Sequence, residues 1–263
     1  MKQSNNLESL VLQAMEGDKK ALNALIEAIQ KYIYNISINI LFHPHEAKDA
    51  TQEILIKIVT HLSSFKNESH FTTWTYRIAT NYLLNLLDKQ KRQQLHFEVF
   101  ASDLAQGLNH NYLANDAEKK LLVEEVKIGC STGMLQCLDA ESRMTYVLGE
   151  ILELDSNEGA YIQEITAEAF RKRLSRARTK INEFTKGHCG LVNPENPCRC
   201  HKKVDDAIAK NRVNPNHLLF ASQQLISSIA NVENAASLIQ KNPEYDLPKD
   251  KLDEIKKIVE TTF

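Results

Sequence analysis

Three groups of residues carry the types and spacings from which chemistry can be argued. The first is a run of cations: Arg171, Lys172, Arg173, Arg176 and Arg178, with Ser175 among them. Such a density neutralises phosphates. Glu168, Ala169, Arg171 and Lys172, close behind a capping Thr166, stand where the start of a helix meets base edges in a major groove. The second group is Cys189, Cys198, Cys200 and His201, with His188, around the rigid turn Asn193-Pro194-Glu195-Asn196-Pro197. Four thiolate or imidazole groups can close a tetrahedral zinc site, although the one-residue gap of Cys198-x-Cys200 is shorter than the usual spacing. Reduced thiols packed against neighbouring helices, or a reversible disulfide from Cys189 to Cys198 or Cys200, are equally open readings. Cys130 and Cys137 read as small core residues. The third group is polar: Asp49, Gln52 and Glu53 share one helical face, and Arg77, Asn81, Asn85, Lys89 and Arg92 share another.

No catalytic set competes with these groups. The chain shows no phosphate-cradling glycine loop, no nucleophile elbow and no His-Glu-x-x-His pair, so it is expected not to be an enzyme.

The elements that hold these groups read as helices throughout. Leu7, Leu10, Val11, Ala14 and Met15 form one apolar stripe; after Gly17 and a capping Asp18, Ala21, Leu22, Leu25, Ile29, Ile33 and Ile36 form a second. Pro44 interrupts it, and a helix from about His45 to Leu62 buries Ala47, Ala50, Ile54, Ile58 and Leu62. A polar loop, 63–70, precedes a helix whose inward residues are expected to be Trp74, Ile78, Tyr82, Leu83 and Leu86. Trp74 lies on that apolar stripe, so it reads first as core and second as a stacking platform. Polar composition from Gln93 to Asp116 predicts a flexible linker, after which stripes resume through Leu121, Leu122, Val126, Leu135, Leu138, Met144, Val147 and Leu148. Asp155 and Glu158 open a short helix to Gln163, with Ala160 as the small residue at a close crossing, and Thr166 caps a longer one to about Phe184. In that helix Phe170, Leu174, Ala177 and Ile181 face one way and the cations cover the rest, which is the pattern of a helix-turn-helix. Beyond Lys186 a tail carries further stripes: Leu218, Leu219, Leu225, Ile226 and Ile229, then Ala235, Leu238 and Ile239, then Leu252, Ile255 and Ile258. Too small to be a domain of its own, it is expected to pack on the second helical domain or on a partner.

The 263 residues balance 32 basic against 34 acidic side chains, a net charge of −2, so affinity for nucleic acid must come from local concentration of cations. A polar amino terminus and the lack of any long apolar run predict a cytoplasmic protein with no membrane segment, in which five cysteines stay reduced or bind metal.

Two runs resemble the sigma-70 family of transcription initiation factors. Asp49-Ala-Thr-Gln-Glu-Ile-Leu through Phe65, then Phe71-Thr-Thr-Trp74-Thr-Tyr-Arg77-Ile-Ala-Thr-Asn81, resembles region 2, and Glu168-Ala-Phe-Arg-Lys-Arg-Leu-Ser-Arg-Ala-Arg178 resembles the region 4 recognition helix. An intervening region 3 is missing, as in the extracytoplasmic-function group. The resemblance implies an all-α fold of two helical domains on a flexible linker: region 2 at 1–94, linker at 95–117, region 4 at 118–186. A Cys/His-rich segment at 187–203 and a small helical extension at 204–263 follow. It implies core RNA polymerase and promoter DNA as partners, leaves an anti-sigma factor open, and names no cofactor; zinc is raised by the Cys/His residues alone. Asp49, Gln52 and Glu53 match the polymerase-binding patch. Trp74, Arg77, Asn81, Asn85, Lys89 and Arg92 match the −10 element reader; Thr166, Glu168, Ala169, Arg171, Lys172, Arg173, Ser175, Arg176 and Arg178 match the −35 reader. One departure is Glu164, at a turn where many members have glycine; an unfavourable positive φ there predicts a turn of different shape. Two other readings remain: a metal- or thiol-sensing protein that docks on polymerase without supporting initiation, and an autonomous helix-turn-helix regulator.

Overall fold

Helix starts follow the capping residues. Asp18 accepts hydrogen bonds from the amides of Lys20 (2.8 Å) and Ala21 (3.2 Å) and opens a helix at Lys19. Asp116, Asp139 and Asp155 do the same for the helices that start at Ala117, Ala140 and Ser156. Each satisfies helix-start amides that would otherwise lack partners. In the computed structural model, which describes residues 2–90, 94–113, 116–221, 234–240 and 242–262, the helices are α1 (Lys2–Met15), α2 (Lys19–Leu41), α3 (Pro44–Thr60), α4 (Phe71–Gln90), α5 (Phe97–Ala105), α6 (Ala117–Leu135), α7 (Ala140–Tyr146), α8 (Ser156–Gln163), α9 (Ala167–His188), α10 (Val204–Ala209), α11 (Ala235–Gln240) and α12 (Lys249–Thr262). Among the described residues there is no strand. Pro44 is the first residue of α3, the helical position where a missing N–H costs nothing.

The chain divides into two compact units: residues 1–92 with 155–170 and 244–263, and residues 93–154 with 171–243. The first is built on α2, whose Leu25, Ile26, Ile29, Ile33 and Ile36 are essentially solvent-free, packed with α1, α3 and α4. Here α4 departs from its expected face. Its core residues are Phe71, Tyr76, Ala79, Leu83 and Leu87 with Thr73, Thr75 and Thr80, while Trp74, Ile78, Tyr82 and Leu86 are only half-buried. The threonines hid the true face from a hydropathy reading, and at least Thr75 is buried at low cost because its hydroxyl donates to the Thr72 carbonyl (2.8 Å).

The final segment also belongs to this unit, not to the second helical domain on which the tail was expected to pack. The side-chain amide of Asn35 exchanges two 2.8 Å bonds with the backbone of Tyr245, and the Leu247 amide donates to Gln30 (2.7 Å). Ile255 and Val259 of α12 are buried, and α12 packs along α2 and α3. A single helix cannot bury its apolar stripe alone; α2 and α3 supply the complementary face.

In the second unit the expected linker contains α5. Phe97 and Phe100 pack their rings on Phe184 at 5.1 and 5.6 Å, Leu104 is buried, and the Lys203 ammonium donates to the carbonyls of Asp103 (2.9 Å) and Gln106 (2.7 Å) at the helix end. Polar composition concealed these three apolar anchors. Val126, Val204, Ala207 and Val213 form a core, and the buried Glu125 carboxylate accepts the amides of Leu219, Phe220 and Ala221 at 2.7–2.9 Å. Leu225, Ile226 and Ile229 lie outside the described residues.

Candidate functional site

The helix-turn-helix is assembled from α8, a three-residue turn and α9. Thr166 caps α9, its hydroxyl accepting from the Ala169 amide (3.1 Å). Close approach of α8 to α9 is made by Gly159 and not by Ala160: a Cβ on Gly159 would lie 2.2 Å from the ring of Phe170, which is itself fully buried. Glu164 adopts the left-handed conformation at φ 55° and ψ 40°, so the turn has the shape that glycine would give it, contrary to the expectation. What holds it there is the helix ending: the Ile165 amide donates to Ala160 (3.0 Å) and the Glu164 amide to Tyr161 (3.4 Å). This pattern satisfies carbonyls at the end of α8 and offsets the backbone penalty.

Along α9, Phe170, Leu174, Ala177 and Ile181 are buried as the periodicity requires. Glu168, Arg171, Lys172, Ser175, Arg176 and Arg178 are exposed; Ala169 and Arg173 are half-buried. Two of the cations are already engaged: Arg173 pairs with Glu141 at 2.7 Å, and Arg178 pairs with Glu150. Arg171, Lys172 and Arg176 are exposed within one turn and a half of the first half of α9.

In the first unit, α3 presents Asp49 and Glu53 exposed and Gln52 half-buried. The charges of Glu53 and Asp49 act on Tyr82 of α4, whose hydroxyl pKa is raised first by burial and then by these two carboxylates. Glu53, Lys57 and His61 of α3 and its end, with Ile78, Asn81, Tyr82, Asn85, Leu86 and Lys89 of α4, line an open groove of about 520 Å³. Asn81, Asn85 and Lys89 are exposed at its edge; Arg92 lies outside the described residues.

A second concavity, about 340 Å³, opens beside it. Its wall includes Phe65, Lys66, Glu68, Trp74, Arg77 and Asn81, with Tyr161 of α8 and Glu164 of the turn after it. Trp74 stands in an aromatic trio with Phe65 (5.4 Å between centroids) and Phe71 (5.5 Å), so one face of the indole serves the core while the side chain also lines the cavity. Both readings of this residue have a physical basis in one position. Arg77 is not free: its Nε donates to Glu164 at 2.9 Å, and the guanidinium sits 5.0 Å from the Tyr161 ring centroid. These partners lie more than eighty residues away in the chain, where no sequence periodicity could show them.

Cys189, Cys198 and Cys200 line one small cavity together with Cys130, whereas His201 is not part of its wall and His188 stacks on Phe184 at 5.0 Å. Cys130, read as ordinary core from sequence, has a buried thiol and also lines this cavity; its single helical position gave no spacing signal for that meeting. Burial pushes the thiols of Cys130 and Cys198 up, and Cys200 well above the thiol range. Cys137 is buried and does not line this cavity, and burial raises its thiol to about 12 against the charge of Arg143.

Comparison with known proteins places the chain in a family. Residues 25–93, which span α2 to α4, match the model for sigma-70 region 2. The chain is 28% identical over 179 residues to the RNA polymerase sigma-H factor of Pseudomonas aeruginosa, covering 67% of this chain and 92% of that one. It is 29% identical to the ECF RNA polymerase sigma-E factor of Haemophilus influenzae over 66% of this chain and 92% of the relative. Against the ECF RNA polymerase sigma-E factor of Escherichia coli K12 the identity is 31% over 176 residues, 66% of this chain and 91% of the relative. With that match, the region 2 helices and an all-helical fold, the chain belongs to the sigma-70 family of RNA polymerase sigma factors and resembles its extracytoplasmic-function members.

Proposed function

We propose that this transcription initiation factor divides its work among three surfaces: α3 docks on core RNA polymerase, α4 with the adjoining concavity holds the melted downstream promoter element, and the start of α9 reads the upstream element in duplex. The observation that carries this reading is the separation of exposed charge among three helices of a chain with a region 2 match. Exposed carboxylates sit on α3, exposed amides and a cation sit on α4, and Arg171, Lys172 and Arg176 sit on the start of α9. A nearly neutral chain then needs polymerase to supply most of its DNA affinity. Trp74 and Phe65 give the concavity an aromatic wall, and Asn81 gives it amide hydrogen-bonding groups. These are the groups that an unstacked base requires. In this conformation Arg77 is held by Glu164, and contact with a strand requires that ion pair to open.

The factor is non-catalytic in this reading and acts in the cytoplasm with polymerase. Among the described residues no helix is long and apolar enough to cross a membrane.

The test uses Asp49→Lys with Glu53→Lys. Both side chains are exposed, so the folded helix should survive reversal of their charge. Affinity for core polymerase should fall at least tenfold while the circular dichroism spectrum is unchanged. Undiminished affinity removes the docking role from α3.

A further inference from the structure

Four of the five cysteines in the chain converge on one cavity although they come from separate parts of the chain. Cys130 is on α6, Cys189 follows the end of α9, Cys198 is in the loop and Cys200 opens a short 3-10 turn before α10. The cavity measures about 30 Å³, which is room for one water-sized body.

The other polar groups in its wall are already committed. The Ser131 hydroxyl donates to the Ile128 carbonyl (3.1 Å), and the Thr185 hydroxyl to the Ile181 carbonyl (2.8 Å). The Arg199 guanidinium donates to the carbonyls of Cys198 (2.9 Å) and Pro194 (2.7 Å). The remaining lining is Leu104, Met134, Phe184, Leu191 and Leu238, so an occupant meets sulfur or hydrocarbon.

The loop that brings the sulfurs together is built tightly. The Gly190 amide donates to the Cys198 carbonyl (3.1 Å), and a Cβ on Gly190 would stand 2.1 Å from that same oxygen. Only glycine allows the backbones beside Cys189 and Cys198 to approach so closely. The Cys189 carbonyl in turn accepts the amides of Val192 (3.3 Å) and Asn193 (2.9 Å), which folds the chain into a knuckle behind the thiol.

We propose that Cys130, Cys189, Cys198 and Cys200 form a tetrathiolate site for one thiophilic divalent cation, zinc by its preference for four sulfur ligands, which fastens the segment 189–203 to α6. Among the described residues no three metal-binding side chains already stand in ligating geometry. Binding therefore requires the thiols to turn into the cavity until each sulfur lies about 2.3 Å from the ion. As each metal–sulfur bond forms, its thiol gives a proton to solvent, and no electron is transferred. The site would carry a charge of −2 with four thiolates. Lys127, Arg199, Lys202 and Lys203 are near enough for their charge to act on these sulfurs. Since Lys127 and Lys203 are paired with Glu124 and Asp206, Arg199 and Lys202 supply the balancing charge.

The experiment uses the full-length protein, reduced and stripped with chelator, titrated with zinc chloride alone and, separately, with cobalt chloride. Wild type should take up about one zinc per chain, and the cobalt form should show tetrahedral visible bands with thiolate charge transfer of a four-sulfur set. Cys130→Ser should weaken zinc binding by at least about 100-fold, since losses of 10–100-fold follow from outer-shell changes alone. His201→Ala and Cys137→Ser should bind as wild type does. The proposal is overturned if Cys130→Ser binds normally, if His201→Ala loses the metal, or if wild type takes up none. It is also overturned if peptide mapping of protein purified without reductant and never exposed to chelator finds a stable Cys189–Cys198 or Cys189–Cys200 disulfide. Should Cys130→Ser fail to fold, the wild-type cobalt spectrum decides: three sulfurs and one nitrogen contradict the assignment.

Discussion

Replacing Gly159 by alanine tests whether α8 and α9 pack as a helix-turn-helix. The new methyl carbon would stand 2.2, 2.4 and 2.9 Å from three ring carbons of Phe170, all inside van der Waals contact. Phe170 has no solvent-exposed surface, so its ring has no open side to swing into. Overpacking of this kind costs about 1–3 kcal/mol, and the better helix propensity of alanine returns up to about 1 kcal/mol. A net loss of about 1–2 kcal/mol is expected. Gly129, in α6, is the control: a Cβ there meets nothing within 4 Å, so Gly129→Ala should gain up to about 1 kcal/mol from propensity. Urea unfolding followed by fluorescence of the single Trp74 reports the first-unit change directly, with circular dichroism following both variants. Phe170→Leu in the Gly159→Ala background should recover part of the loss by making room. If Gly159→Ala is as stable as wild type while Gly129→Ala behaves as stated, the packing of α8 on Phe170 is refuted.

Glu164→Gly should be more stable than Glu164→Ala by about 1 kcal/mol, because both lose the exposed ion pair to Arg77 and only glycine relieves the left-handed backbone; equal unfolding midpoints would contradict this. In holoenzyme, Arg171→Ala or Lys172→Ala should weaken initiation at promoters that depend on the upstream element, by about 1–3 kcal/mol per lost base contact. Asn81→Ala should instead permit closed-complex binding and impair melting, with rescue by a pre-melted bubble template; the opposite pattern of rescue reverses the two assignments. Burial alone would raise the Asp103 carboxyl, but hydrogen bonds from Arg212 and Lys210 outweigh it and bring the pKa to about 2. A carboxyl depressed in the folded state contributes stability above its unfolded pKa of about 4, and that contribution is lost as pH falls toward 2. Asp103→Asn should therefore lower stability by on the order of 1 kcal/mol at neutral pH and by progressively less as pH falls from about 4 through 2, measured by urea unfolding.

Much of the fold was legible because its signals are local. Asp18, Asp155 and Thr166 announced helix starts, and the stripes of α2 and α9 are buried where their spacing put them. The face of α4 was misread because buried threonines look polar in a sequence. The expected linker hid α5 because three apolar anchors in a polar stretch leave no clear period, and their partners Phe184 and Lys203 lie far along the chain. The same limit governs the sites. Exposed charges on α3 and α9 follow from helical spacing, but the engagement of Arg77 by Glu164 and the meeting of Cys130 with Cys200 depend on tertiary approach. Glu164 shows a further limit: propensity argued against a left-handed turn, and the hydrogen bonds that close α8 prevailed.

Transcription reconstituted from purified parts tests the central claim most directly. The full-length chain would be mixed with core RNA polymerase and a pool of genomic fragments, and transcript 5′ ends mapped. The account predicts discrete starts that require both components, are lost with Asp49→Lys and Glu53→Lys together, and share sequence elements at fixed distances upstream. Polymerase binding without any specific start, or sequence-specific duplex binding by the chain alone with no effect on initiation, would contradict it.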